Sequence, residues 1–146
     1  MKIYRCTSLD IELVIEAMSK VKSEEDSVEI LNETAINKFL TNENNYFLVA
    51  MENQQVLGYA IGYCQNRLDM TGDMMCLYEI GVLKEFRRQG VGKTLINALI
   101  EICHNINAIE MWVPTNKHNV SACTLYEKTG GITSVLKDEI IYTYKF

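Results

Sequence analysis

The sequence predicts an α+β fold, a mixed sheet whose two faces are both covered by helices. Three observations carry this. Two compact apolar runs in the middle of the chain, residues 46–51 (YFLVAM) and 56–64, flank a short Asn53-Gln54-Gln55 turn and read as an antiparallel hairpin. A third apolar strand follows at 75–82 (MCLYEIGV). Helical periodicity stands on either side of these strands, over residues 10–21 and again over about 92–104. The order of elements reads β-α-α-β-β-β-α-β-α-β.

Taken in order, residues 2–7 (KIYRCT) suit a short strand, and Ser8 is the candidate N-cap of the helix after it. In that helix Leu13, Val14, Ala17, Met18 and Val21 recur at helical spacing. Residues 23–29 (SEEDSVE) form an acidic loop, and 34–41 a second short helix with Ile36, Phe39 and Leu40 facing inward. After the hairpin a looser loop covers about 65–74. The helix from Gly92 carries apolar residues at 95, 96, 99, 100, 102, 103 and 106, a good amphipathic period. A strand at 109–114, a helix at 119–129 and one or two closing strands within 132–146 complete the chain.

A length of 146 residues fits one domain, residues 1–146, able to bury a core without staples. The formal net charge of −5 argues against charge-driven binding to nucleic acid or to an anionic membrane. No apolar run approaches the roughly 20 residues that span a bilayer. Arg5, Asp10 and Glu12 come too early for a signal peptide's apolar segment, which points to a cytoplasmic protein. The five cysteines include no C-x-x-C pair and read as small buried thiols, not as a disulfide framework. His104 and His118, the only histidines, are expected at the surface, and no metal site is expected.

The informative segment is strand, turn, helix: CLYEIGV, LKEF, RRQGVGKTLINALIEIC. Gly90 and Gly92 stand where the strand has ended and the helix begins. Glycine permits positive φ and removes side chains that would hold a ligand away from the peptide nitrogens. The first amides of a helix lack internal partners and, with the helix dipole, can bind an anion. Arg87, Arg88 and Lys93 add positive charge to an otherwise acidic chain. A solvent-exposed helix start with ordinary turn glycines is the plain alternative.

Three phosphate motifs compete for this segment. GVGKT at 90–94 ends like a P-loop, but Arg87 stands where that motif needs its first glycine. A dinucleotide fingerprint would need glycine at Leu95. The pattern R-x-x-G-x-G/A is met by Arg87, Gly90 and Gly92. It resembles the pyrophosphate-binding loop of the GNAT superfamily, the acetyl-CoA-dependent N-acetyltransferases. Downstream, Asn119, Ala122, Leu125, Tyr126 and Gly130 match N-x-x-A-x-x-L-Y-x-x-x-G, which resembles the second cofactor-contacting helix of that family. Asn119 and Tyr126 are seven residues apart, two helical turns or about 10.5 Å along one face. Within the superfamily, residues 76–130 look most like the small aminoglycoside 3-N-acetyltransferases. One departure is Gly130-Gly131, where many relatives have Gly-Phe.

The resemblance implies a GNAT-like, mostly antiparallel sheet with splayed central strands. It also implies direct transfer of acetyl from acetyl-CoA to a primary amine in a ternary complex, without an acyl-enzyme or a metal. Arg87, Arg88, Gln89, Gly90, Val91, Gly92, Lys93 and Thr94 would then hold the pyrophosphate. Ile80, Gly81 and Val82 would present backbone groups to the pantetheine arm, while Asn119, Ala122 and Tyr126 would contact the cofactor from the second helix. Splaying fits Pro114, which cannot complete a strand ladder. An alkyl ammonium near pKa 10 cannot attack, so a carboxylate, or a water held by one, must take its proton. Glu79 is the candidate base and Tyr126 the candidate acid for the departing thiolate. An outward glutamate in a salt bridge is the equal alternative for Glu79.

The acceptor implied is a small cationic amine, with the 3-amino group of an aminoglycoside as the specific case. Glu24, Glu25, Asp26, Glu29 and Glu33, with Asp138 and Glu139, could supply an acidic acceptor side or simply a solvated surface. A protein or peptide amine, a non-catalytic CoA-binding regulatory module and a nucleotide hydrolase remain rival readings. Similar proteins are often homodimers.

Overall fold

Five strands lie side by side in the order β1-β2-β3-β4-β5. They are β1 (Lys2–Arg5), β2 (Asn45–Glu52), β3 (Gln55–Gln65), β4 (Met74–Val82) and β5 (Glu110–Trp112). The first four pair antiparallel and β5 runs parallel to β4. Helices α1 (Ile11–Ser23) and α2 (Glu33–Leu40) precede β2, α3 (Val91–Asn105) joins β4 to β5, and α4 (Val120–Lys128) follows. The computed structural model describes residues 1–23, 31–69 and 71–133. Among these the mixed sheet with helices on both faces is as expected. Most of the acidic loop at 23–29 and of the closing strands within 132–146 lies outside the described residues.

Local hydrogen bonding sets the boundaries. The carbonyl of Asp10 accepts the first bond of α1, from the Val14 N–H at 3.0 Å. The Asp10 carboxylate accepts from both the N–H and the hydroxyl of Thr7, each at 2.8 Å. The cap is therefore Asp10, not Ser8, which lies inside the turn that this carboxylate closes. Helix α2 starts at Glu33, just ahead of the expected 34, because the side chain of Asn32 accepts from the Ala35 N–H at 3.1 Å. Asn53 (φ 49°) and Gln54 (φ 64°) are both left-handed, the geometry of a two-residue hairpin turn. Gln55 consequently joins β3 opposite Glu52, so the expected three-residue turn is one residue shorter.

Alternation along the sheet divides the core in two. Tyr46, Leu48 and Ala50 of β2 meet Leu95, Ile96 and Leu99 of α3 on one face. Phe47 and Val49 meet Val14, Ala17 and Val21 of α1 on the other. Cys6, Cys64, Cys76 and Cys103 are buried thiols as expected, whereas Cys123 on α4 is only half-buried. His104 and His118 are exposed. No helix of the described residues is long and apolar enough to cross a membrane.

One irregularity shapes the middle of the sheet. The β3–β4 register passes from Ile61↔Glu79 to Gly62↔Leu77, leaving Tyr78 as an extra residue in β4. A bulge of this kind shifts strand parity. Met75 and Leu77 belong to the α3-side core before it, and Ile80 and Val82 pack there after it. Tyr78 and Glu79, although adjacent in sequence, both line a cavity on the α1–α2 side.

Candidate active site

Strand β5 accompanies β4 only from Met74 to Cys76 and then stops. It is shorter than the expected 109–114. Proline at 114 has no N–H to continue the ladder. Beyond Cys76 no other strand of the described residues pairs with that edge of β4. The Leu83 N–H donates to the Leu57 carbonyl at 3.0 Å, so alternation turns the polar groups of Val82 towards the open edge. There the Val82 carbonyl accepts from Nε of Arg87 at 2.8 Å. The same alternation gives Ile80 an edge-facing amide, while Gly81 faces β3 opposite Tyr59. A Cβ on Gly81 would fall 2.6 Å from Cγ1 of Val21 and 3.3 Å from the Tyr59 ring, so the bare position lets α1 close on β4.

The glycine loop follows a short 3-10 turn at Lys84–Phe86. Gln89 Nε2 donates to the Glu85 carbonyl at 2.6 Å, and together with the Arg87 bond this ties the loop back to its own start. Arg88 (φ 61°) and Gly90 (φ 89°) are both left-handed. Nothing lies within 4 Å of where a Gly90 Cβ would be, so glycine is needed there for its backbone angle. At Gly92 the need is contact: a Cβ would sit 3.0 Å from Cδ2 of Leu125 on α4. The first intrahelical bond of α3 runs from the Thr94 N–H to the Gly90 carbonyl at 2.9 Å, and no side chain caps the helix. The N–H groups of Val91, Gly92 and Lys93 therefore have no acceptor within the helix. The Val91 side chain is buried, Thr94 spends its hydroxyl on the Gly90 carbonyl at 3.0 Å, and Arg88 and Lys93 are exposed. This is a cationic, uncapped helix start, and its three amides suit a diphosphate.

Helix α4 stands beside that start. The side chain of Asn119 caps it, its Oδ1 accepting from the Ala122 N–H at 3.1 Å. Asn119 and Ala122 thus hold each other, leaving the Nδ2 of Asn119 as the group that can reach a ligand. Tyr126 is half-buried and packs in the α3-side cluster that also holds Ile80, Val82 and Leu125. Burial first, then the nearby Cys123, holds its phenol above the ordinary tyrosine range, so it stays protonated. Gly131 N–H donates to the Tyr126 carbonyl at 2.9 Å and Gly130 N–H to that of Glu127 at 3.1 Å, with Gly130 left-handed at φ 92°. The Gly130-Gly131 pair is a helix-terminating motif.

Glu79 lies on the opposite face of the sheet. Its Oε1 accepts from the Tyr59 hydroxyl at 2.5 Å and meets Nζ of Lys22 at 2.7 Å. Glu79 is thus ion-paired, as the salt-bridge alternative expects, and it also lines the cavity. That cavity measures about 430 Å³. Among the described residues no three His, Cys, Asp or Glu side chains gather to hold a metal.

The model of the acetyltransferase (GNAT) family matches residues 11–131 of the chain. The chain belongs to the GNAT family. Enzymes of this family use acetyl-CoA as co-substrate, so the expected acetyltransferase class holds. Two GNAT structures of the aminoglycoside acetyltransferase meta-AAC0020, from an uncultured soil metagenomic sample, superpose with TM-score 0.89. One is a complex with trehalose (23% identity) and the other with sisomicin (22%), and each comparison covers 99% of this chain and 96% of the other. The ribosomal-protein-alanine N-acetyltransferase of Brucella melitensis superposes at 0.77 with 14% identity, covering 98% of this chain and all of that one. At such identities the likeness is one of fold. In sequence, a ribosomal protein bS18 alanine N-acetyltransferase of Haemophilus influenzae is 35% identical over 83 residues, 57% of this chain. The match spans 52%, about half, of that curated relative.

Sequence reasoning missed the partners of Glu79 and the cavity beside it. Tyr59 could have been found, because alternation along β3 puts Tyr59, Ile61 and Tyr63 on one face of this GNAT sheet. Lys22 carries no such signal. It meets Glu79 only because α1 packs across β4 at Gly81.

Proposed function

We propose that this GNAT protein is an N-acetyltransferase that moves acetyl directly from acetyl-CoA to the primary amine of a small-molecule acceptor. The observation that carries the reading is the unpaired β4 edge past Cys76. The uncapped α3 start and Tyr126 pack on one side of it, and the Glu79 cavity opens on the other. Acetyl-CoA supplies the acetyl group as a thioester.

Each residue has one task in this reading. The amides of Val91, Gly92 and Lys93 bind the diphosphate, with Arg88 and Lys93 adding charge and Arg87, Gln89, Gly90 and Thr94 holding the loop in shape. Edge amides of Ile80 and Val82 bind the pantetheine arm and polarise the thioester carbonyl, and Gly81 admits α1 behind them. Asn119 and Ala122 fix the start of α4 so that Tyr126 faces the thioester sulfur. Glu79 takes the proton that the amine must lose, directly or through a water, and Tyr126 gives one to the departing thiolate.

Two specific acceptors enter the first assay. Aminoglycosides are named for two structural neighbours, and a peptide with an N-terminal alanine is named for the 35% identical relative. The binding experiment is a thermal shift with acetyl-CoA, CoA and ATP. A ligand at 100 times its Kd adds about 2.7 kcal/mol. Stabilisation by ATP with magnesium but not by acetyl-CoA would overturn the reading. Binding of acetyl-CoA without thiol release on any amine would make the chain a CoA-binding module instead.

A further inference from the structure

The cavity beside Glu79 carries information about the acceptor that neither relative supplies. Twelve described residues line it, and ten of them are aliphatic or aromatic. The two exceptions are Asn32 and Glu79. Asn32 spends its side-chain oxygen on the cap of α2. Glu79 is already opposite the ammonium of Lys22 at 2.7 Å. Among the described lining residues Glu79 alone is charged, and it is ion-paired with Lys22.

Its walls have a definite shape. Phe39 and Tyr63 meet edge to face at 5.4 Å and 81°, and Tyr63 meets Tyr78 at 5.4 Å and 85°. The three rings form a continuous row that ends at Tyr78, which is 60% exposed and stands beside Glu79 because of the bulge. A volume of about 430 Å³ accommodates a small organic molecule.

We propose that the acceptor is a monoamine with an aromatic or aliphatic body, its nitrogen at Glu79 and its body along the row of rings. This rests on the acetyltransferase reading and narrows it. An apolar body gains by leaving water for such walls. A polycationic aminosugar would bury several ammonium and hydroxyl groups against walls whose hydrogen-bonding groups are limited to the Tyr63 and Tyr78 hydroxyls, Asn32 and Glu79. In the transfer, the amine nitrogen forms a bond to the acetyl carbon and the C–S bond breaks. Of the two protons the ammonium loses on becoming an amide, one goes to Glu79 and the other restores the proton that Tyr126 gives to the departing sulfur.

The experiment measures thiol release from acetyl-CoA with four acceptors: 2-phenylethylamine, hexylamine, spermidine and sisomicin. Both monoamines are expected to exceed both polycations by about tenfold or more in kcat/KM. Tyr78→Ala is expected to lower kcat/KM for 2-phenylethylamine by about tenfold, through KM. Its side chain is mostly exposed, so the fold is retained. Equal or faster turnover of spermidine or sisomicin overturns the inference and leaves the acetyltransferase reading intact, and an unchanged KM in Tyr78→Ala also overturns it. If none of the four is acetylated, the melting temperature with CoA and 2-phenylethylamine decides. A further rise with the amine supports the cavity assignment and no rise overturns the inference, while the transfer reading stands or falls on acetyl-CoA binding and on the peptide acceptor.

Discussion

The phenol of Tyr59, which exposes nothing to solvent, donates to Oε1 of Glu79 at 2.5 Å. The two residues stand diagonally across neighbouring strands, Tyr59 opposite Gly81 and Ile61 opposite Glu79. Its ring is held by stacking on Phe47 at 5.3 Å and 14°. A rigid, buried donor therefore fixes the carboxylate oxygen that also meets Lys22, and with it the set of the carboxylate at the cavity wall.

Tyr59→Phe keeps the ring and removes only this donor. A hydrogen bond to a charged group is worth about 1.5–3 kcal/mol, and partial access of water to Glu79 puts the loss at the low end. The melting temperature should fall by about 3–6 °C. As a positioning residue for Glu79, Tyr59 should also affect turnover: kcat falls while KM for acetyl-CoA stays unchanged. A lower melting temperature with full kcat would leave Tyr59 a purely structural role.

Tyr126→Phe tests the proton donor. We expect kcat to fall about 10²-fold or more with acetyl-CoA binding retained. Burial raises the Tyr126 pKa above its ordinary 10.0, so the wild-type enzyme should lose this acid at a higher pH than an ordinary tyrosine would. A kcat profile across pH 7–10 in wild type and mutant checks both points. An unchanged kcat in the mutant removes Tyr126 from the chemistry.

Gly90 and Gly92 should fail differently. Gly90→Ala meets open space but must hold φ near 89°, which costs a non-glycine residue about 1–2 kcal/mol and disturbs the amides that follow. KM for acetyl-CoA should rise. Gly92→Ala has no reason for backbone strain and instead pushes its methyl against Leu125, 3.0 Å away. Leu125 adjoins Tyr126, so the effect there should fall on kcat as well. Comparing kcat and KM in the two variants separates the turn from the helix contact.

Much of this was legible because strong local signals and the fold agree. The hairpin, the amphipathic α3 and the Gly90–Gly92 turn each follow from residues close in sequence. The chemistry of Glu79 was only half legible. A strand position tells which face a side chain takes only when the parity is unbroken, and the extra residue Tyr78 breaks it. Nothing in the order of residues announces that bulge. Nor does anything local bring Lys22 to Glu79, which are 57 positions apart and meet through helix packing. The Ser8 cap misled for a simpler reason: Asp10 competes for the same turn and engages Thr7 twice.

Alkaline stability offers a test of the core that does not depend on activity. Burial first, and then Asp10, pushes the Cys6 thiol from its ordinary 9.0 up to about 12, and burial with Asp73 pushes Cys64 to about 11. In each case the folded state holds the proton more tightly than the unfolded chain. Their contribution is therefore fully present below pH 9 and is lost as pH climbs through 11 and 12. Tyrosines whose burial raises them, Tyr46 and Tyr63 among them, add to this only from about pH 10 upward. Melting temperatures taken every half unit from pH 8 to 11 should be flat at first and turn down near pH 9. In Cys6→Ala the initial midpoint is lower because a buried atom is lost, but the slope between pH 9 and 10 should be shallower. An unchanged slope in that variant would mean that the folded protein accepts the Cys6 thiolate.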